Sequence, residues 1–123
     1  MEYACGLIKL KAGSENKVEE WRRTMASRLD EAAATLQDED VQIESWFTLE
    51  ISGDPYLLWY LRAKSIKRVF EVSQKLKHPI DEFHYALMAE ITAADGVIIA
   101  KPLIDIPRSP SPSQMSTDRW YRS

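Results

Sequence analysis

Cysteine occurs once in this chain, at Cys5, so no disulfide can close within it. Zinc sites built from four cysteines, or from two cysteines and two histidines, are excluded by count. The plain reading of Cys5 is a small buried hydrophobe in a strand. Glycine is also scarce, with four residues, and neither Gly6 nor Gly13 lies in a nucleotide-binding fingerprint. There is no Gly-x-Ser-x-Gly elbow and no His-Glu-x-x-His pair. No cofactor is therefore expected. No apolar run approaches the roughly 18 to 20 residues needed to cross a bilayer. Residues 1–5 lack the basic start of a signal peptide, which makes a cytoplasmic location the expectation and a membrane an unexpected partner. No basic stripe is interleaved with aromatics. Residues 107–123 carry +2, which leaves −5 on the rest of a chain whose total is −3. A surface of that sign matches a phosphate backbone poorly, so nucleic acid is not expected either.

What is present is the composition of a soluble globular domain: 45% hydrophobic and 28% charged residues in a chain of 123. Residues 3–11 form a short apolar run bounded by Gly13 and read as a strand. Ser14 offers a helix cap with Glu15 beside the positive helix end. Val18, Trp21, Met25, Leu29, Ala32 and Leu36 follow at spacings of three and four, one stripe on a helix of about six turns. The charged run Gln37 to Asp40 ends it. Residues 41–51 alternate as a half-buried strand. Ser52 to Pro55 is a turn, and residues 56–64 return as the second arm of a hairpin. Ser65 caps a second helix with Ile66, Val69, Phe70, Ser73 and Leu76 facing inward. Pro79 breaks that helix after His78 and suits the first turn of a new one. Ile80, Phe83, Leu87 and Ile91 form its stripe. Asp95-Gly96 reads as a turn, and residues 97–106 as an edge strand because Pro102 cannot donate to a ladder.

The order strand, helix, strand, strand, split helix, strand gives an α+β ferredoxin-like βαββαβ sandwich. Its four-stranded antiparallel sheet has the first and third strands central and helices on one face. Residues 1–106 form that domain. Residues 107–123, rich in Pro, Ser and Arg, are expected to be a disordered or partner-docked tail. The uncovered sheet face, with Trp46, Leu58 and Tyr60 assigned to it, calls for a cover. The simplest is a second copy of the chain, and so a homodimer.

The plan, the length, and the stretch from Ser45 through Ile91 (SWFTLEISGDPYLLWYLRAKS and the helices after it) resemble the dimeric α+β barrel superfamily. L-rhamnose mutarotases, antibiotic-biosynthesis monooxygenases and small uncharacterised bacterial families share that architecture. The resemblance implies two protomers packed sheet to sheet around a pocket. It transfers no catalytic residue: mutarotases of this type use a Tyr and a His on the first helix, and WRRTMASRLDEAAATL has neither. Of the Asn, Trp and His of the monooxygenases, only Trp46 finds a loose match.

Strand parity nominates Glu44, Trp46 and Thr48 from one hairpin arm, and Tyr60 and Arg62 from the other, as a ligand-binding face. Two registers compete. A four-residue turn pairs Phe47 with Tyr60, whereas the hydrophobic pattern groups Val41, Ile43 and Phe47 with Leu57, Trp59 and Leu61, and the pattern is preferred. Glu44 beside Arg62 is then a polar grip with Glu44 as a base, or else a structural ion pair at the dimer seam. Asp81 and His84, three apart on the last helix, form a carboxylate–imidazole pair suited to general-base work, or an inert edge histidine. His78, Asp81 and His84 match no strong metal motif. The expected function is binding of a small organic molecule at the sheet face, with cofactor-independent proton transfer by His84 or Glu44 if the chain is an enzyme. The alternative is a non-enzymatic interaction module.

Overall fold

The computed structural model describes residues 1–75 and 78–108. The elements run β1 (Glu2–Leu10), α1 (Glu15–Ser27), α2 (Leu29–Asp38), β2 (Val41–Ile51), β3 (Asp54–Ala63), α3 (Ile66–Ser73), α4 (Pro79–Ile91) and β4 (Thr92–Ile99). The strands form one antiparallel sheet in the order β2-β3-β1-β4. This is the ferredoxin-like plan expected from the sequence, with β1 and β3 central and β4 at an edge.

The core follows from β3. Leu57, Trp59, Leu61 and Ala63 alternate toward the helices and are all buried. Ala4 and Leu10 of β1 join them, with Trp21, Val69, Ile80, Leu87, Met88 and Ile91 from the helices. Gly6 is required where it sits. A Cβ there would lie 2.7 Å from both the Trp59 ring and the Ile98 carbonyl oxygen, so only glycine lets the indole lie across β1.

Four local expectations are corrected. The long first helix breaks at Arg28, whose φ of −127° and ψ of 40° leave the helical region. The apolar stripe continues across the break, so periodicity gave no sign of it. Ser14 does not cap α1 with its side chain; its hydroxyl donates instead to the Lys11 carbonyl at 2.6 Å. Asp95-Gly96 is not a turn between elements but lies inside β4, where the register against β1 shifts between Ile8 and Leu10. That strand ends at Ile99, ahead of Pro102. Leu76 and the tail from residue 109 lie outside the described residues, while Phe70 is half exposed, its ring edge-on to Trp59.

The consequential correction is the hairpin register. The turn is two residues long, Ser52-Gly53, with φ of 51° and 85°, and Ile51 pairs with Asp54. Positive φ at both central residues matches the twist of the flanking strands, and glycine supplies one of them without strain. Phe47 then pairs with Leu58, and Trp46 with Trp59. Even residues of β2 therefore face the helices, and odd ones face away. Phe47 and Ile43 are 55% and 45% exposed rather than buried. A bulge between Val41 and Ile43 restores the other parity for Val41 alone, which pairs with Ala63 and is buried.

Candidate functional site

The register turns Glu44 and Trp46 toward the helices, where they meet α1, α2 and α4 around a cavity of about 330 Å³. Trp21 and Met25 come from α1, Leu36 from α2, and Asp81, His84 and Tyr85 from α4. Glu39, the residue after α2, completes the wall. Aromatic rings form one side. Trp21 and Trp46 meet edge to face at 5.1 Å, and His84 lies 5.5 Å from Trp46 and 4.9 Å from Tyr85, between centroids. Such edge-on contacts hold the rings at fixed angles.

Two indole N–H groups set the polar geometry. Trp21 Nε1 donates to His84 Nδ1 at 2.9 Å, and Trp46 Nε1 donates to Glu44 Oε2 at 3.0 Å. Because Nδ1 of His84 accepts, the proton of the neutral ring sits on Nε2. Burial pushes the imidazole down to about 4, so the ring is neutral at pH 7. The acids move the other way. Glu39 is only 9% exposed; burial, then the charges of Glu44, Asp81 and Asp38, push its carboxyl up to about 7. Among the described residues its carboxylate has no hydrogen-bond or ion-pair partner. Glu44 stands exposed at the mouth, but the protein packed around it also raises its carboxyl, against the Trp46 N–H. Desolvation raises Asp81 too, and Tyr85 is pushed up to about 12. No lysine or arginine lines the cavity among the described residues. The arrangement thus holds one carboxyl poised near neutrality, a second beside it, and a neutral imidazole with a free N–H. Those are the groups of general acid–base chemistry.

A family model for a family of unknown function, DUF6176, matches residues 1–105. The chain belongs to that family. The matched span contains every residue of the cavity wall. No curated protein matches the chain. Among solved structures, an L-rhamnose mutarotase from Formosa agariphila is 17% identical over 87% of this chain and 100% of its own, with a TM-score of 0.56. A structural-genomics protein from Agrobacterium tumefaciens is 15% identical over 84% of this chain and 94% of its own, with a TM-score of 0.55. At such identities the likeness is one of fold alone: the chain shares its ferredoxin-like plan with these two proteins.

The structure brings Glu44, Trp46, Asp81 and His84 together and separates the rest. Thr48 lies further along β2, in a second depression with Leu10, Val18 and Tyr56. Tyr60 and Arg62 project from the opposite sheet face. There Arg62 donates to Asp105 through Nη1 at 2.9 Å and Nη2 at 2.7 Å, and to the Tyr60 hydroxyl. The Glu44–Arg62 grip therefore does not exist, because the two residues lie on opposite faces. The cavity likewise lies between sheet and helices, not on the open face. Asp81 is not the hydrogen-bond partner of His84; Trp21 is. His78 binds Asp38 through Nε2 at 2.8 Å, which ties the start of α4 to the end of α2. Among the described residues no three ligating side chains converge on a metal site. Glu39 and Tyr85 were not nominated from the sequence. Glu39 had a signal, since it continues the Ala32, Leu36 stripe at a spacing of three. Tyr85, off the stripe of α4, had none.

Proposed function

We propose that this chain binds a small hydroxyl-bearing organic molecule in the helix-side cavity and transfers protons to and from it. The observation that carries this reading is Glu39: a residue only 9% exposed, its carboxyl without a partner among the described residues and held near neutrality beside Glu44. In such a pair the protonated carboxyl gives a proton to one substrate oxygen while the ionised one takes a proton from another. The substrate's proton count is unchanged, and the two carboxyls exchange states. His84 offers its Nε2–H as a hydrogen bond to a developing negative charge and stays neutral. Interconversion of sugar anomers is the simplest reaction of this kind, and the fold shared with an L-rhamnose mutarotase supports trying it first. The test is anomer exchange followed by magnetisation transfer over a panel of aldoses. Acceleration by the wild-type protein, lost by about a hundredfold in Glu39→Gln, is the expected result for a positioned acid–base group. If no aldose is accelerated, anomer chemistry is refuted.

The working form in this proposal is a homodimer. The sheet face away from the helices presents Ile43, Phe47, Ile51 and Ile98, all at least 40% exposed, beside Leu7 and Leu58. A second copy of the same face is its simplest cover, with aligned sheets stacked roughly 10 Å apart. In this arrangement the cavities lie on the outer sides of the two sheets, and each protomer keeps its own.

A further inference from the structure

Glu39, Glu44 and Asp81 converge on a cavity walled by the rings of Trp21, Trp46 and Tyr85, and we propose that its ligand is an organic cation carrying an ammonium group. The inference rests on the cavity being a ligand site, as above, and names the chemical class that enters it. Three features converge on a cation. The acidic wall has no lysine or arginine opposite it among the described residues. Glu39 is only 9% exposed, stands beside other acids and has no hydrogen-bond or ion-pair partner among those residues, and a carboxylate largely withdrawn from water gains from a counter-charge. The rest of the wall is apolar, with Trp21, Trp46 and Tyr85 among aliphatic side chains such as Met25 and Leu36, and ring faces attract cations while repelling anions. A metal ion would need ligating atoms converging on one point, and no such group of three exists among the described residues. A volume of about 330 Å³ instead suits a small organic molecule, with its ammonium group near Glu39 and its carbon frame against the indoles.

Binding should be coupled to protons. The titratable groups facing Glu39 are Glu44 from β2, Asp81, His84 and Tyr85 from α4, and Asp38 from α2, the last already engaged by His78. At pH 6 Glu39 is mostly protonated, because burial holds its carboxyl up at about 7. A cation beside it favours the carboxylate, so binding at pH 6 releases a proton. His84 stays neutral throughout this range and absorbs none of it.

The experiment uses the full chain and four probes: benzylammonium, cyclohexylammonium, and their neutral counterparts benzyl alcohol and cyclohexanol. Binding is read from tryptophan fluorescence, since Trp21 and Trp46 line the cavity. Proton release is read by calorimetry at pH 6 in buffers of different ionisation enthalpy. The ammonium probes should bind about tenfold or more tighter than the alcohols, and Glu39→Gln should erase that preference. Calorimetry on the wild-type protein should show net proton release, which keeps the test sound if the variant folds poorly. Alcohols binding as tightly as the ammonium ions would overturn the cation and leave the cavity as a ligand site. A preference that survives in Glu39→Gln, or binding without proton release, would overturn the assignment to this acid. No fluorescence response to any probe would overturn this inference; the anomer-exchange assay then decides the proton-transfer reading separately.

Discussion

Replacing Glu39 by glutamine should convert a pH-dependent penalty into a constant. The carboxyl moves from an ordinary 4.5 to about 7 on folding, chiefly through burial and then through the neighbouring Glu44, Asp81 and Asp38. Below pH 4.5 it is protonated in both folded and unfolded chains and makes no pH-dependent contribution. Between 4.5 and 7 the unfolded chain gives up its proton while the folded chain keeps it, so stability falls as pH rises. Above 7 the loss is complete. At about 1.36 kcal/mol per pH unit the interval amounts to about 3 kcal/mol, a sizeable share of the roughly 5 to 15 that holds a domain together. Glutamine keeps the shape and cannot ionise. The stability of Glu39→Gln minus that of wild type should thus be small near pH 4 and grow to about 3 kcal/mol in favour of the variant near pH 8. Urea unfolding followed by far-ultraviolet circular dichroism at pH 4, 6 and 8 measures the difference, with unchanged m-values confirming that the states compared are the same. A difference that does not grow with pH refutes the argument.

His84→Gln should act at the other end of the scale. Its imidazole titrates near 4 when folded against an ordinary 6.5, so wild-type stability is full above 6.5 and falls as pH drops toward 4; the variant should lose that slope in the same unfolding series. Phe47→Glu should halve the mass found by sedimentation equilibrium if the open sheet face is the dimer seam, whereas a dimer that persists places the seam elsewhere. Arg62→Ala removes the paired bonds to Asp105, and faster amide hydrogen exchange confined to residues 100–106, with little change in global stability, should report it. Gly6→Ala should cost about 1 to 3 kcal/mol in urea, because the added Cβ meets the Trp59 ring and a β4 carbonyl at 2.7 Å.

Much of the fold was legible because its signals are local. Alternation in residues 41–51, the break before Pro79 and the proline at 102 gave the strands, the split helix and the edge. Burial against the sheet was legible on β3 for the same reason, since Leu57, Trp59 and Leu61 are the larger apolar set there. The face of β2 was not legible from its own residues. Both of its faces carry large apolar side chains: Trp46 on one, and Ile43, Phe47, Leu49 and Ile51 on the other. Hydrophobic count favours the face with more of them, yet that is the face turned away from the helices. The arbiter was the turn, whose two residues with positive φ make the loop even and fix the pairing of Ile51 with Asp54. A strand that is apolar on both faces is what a sheet with two covered faces would show. The failure of the count therefore points to the open face as a surface that is meant to be covered.

The same register explains why the cavity is acidic. Had the apolar face of β2 turned inward, Phe47 and Ile43 would meet α2 and α4, and Glu44 would stand in solvent on the far side. The two-residue turn seats Glu44 and Trp46 toward Glu39, Asp81 and His84, while the bulge at Gln42 returns Val41 to the core. This choice lowers stability at neutral pH, because each acid is harder to ionise there than in water. An apolar wall of similar volume would be more stable, and the fold has apolar residues on the same strand to supply one. Sites that break the local rule for a packed core are where function is expected. A fold that carries a largely buried acid, Glu39, beside two others gains most from a ligand that brings the missing charge, and ligand binding to the folded state alone returns stability by mass action. An ammonium probe that raises the melting temperature of the wild type at pH 8, and raises that of Glu39→Gln less, would join the two arguments in one measurement.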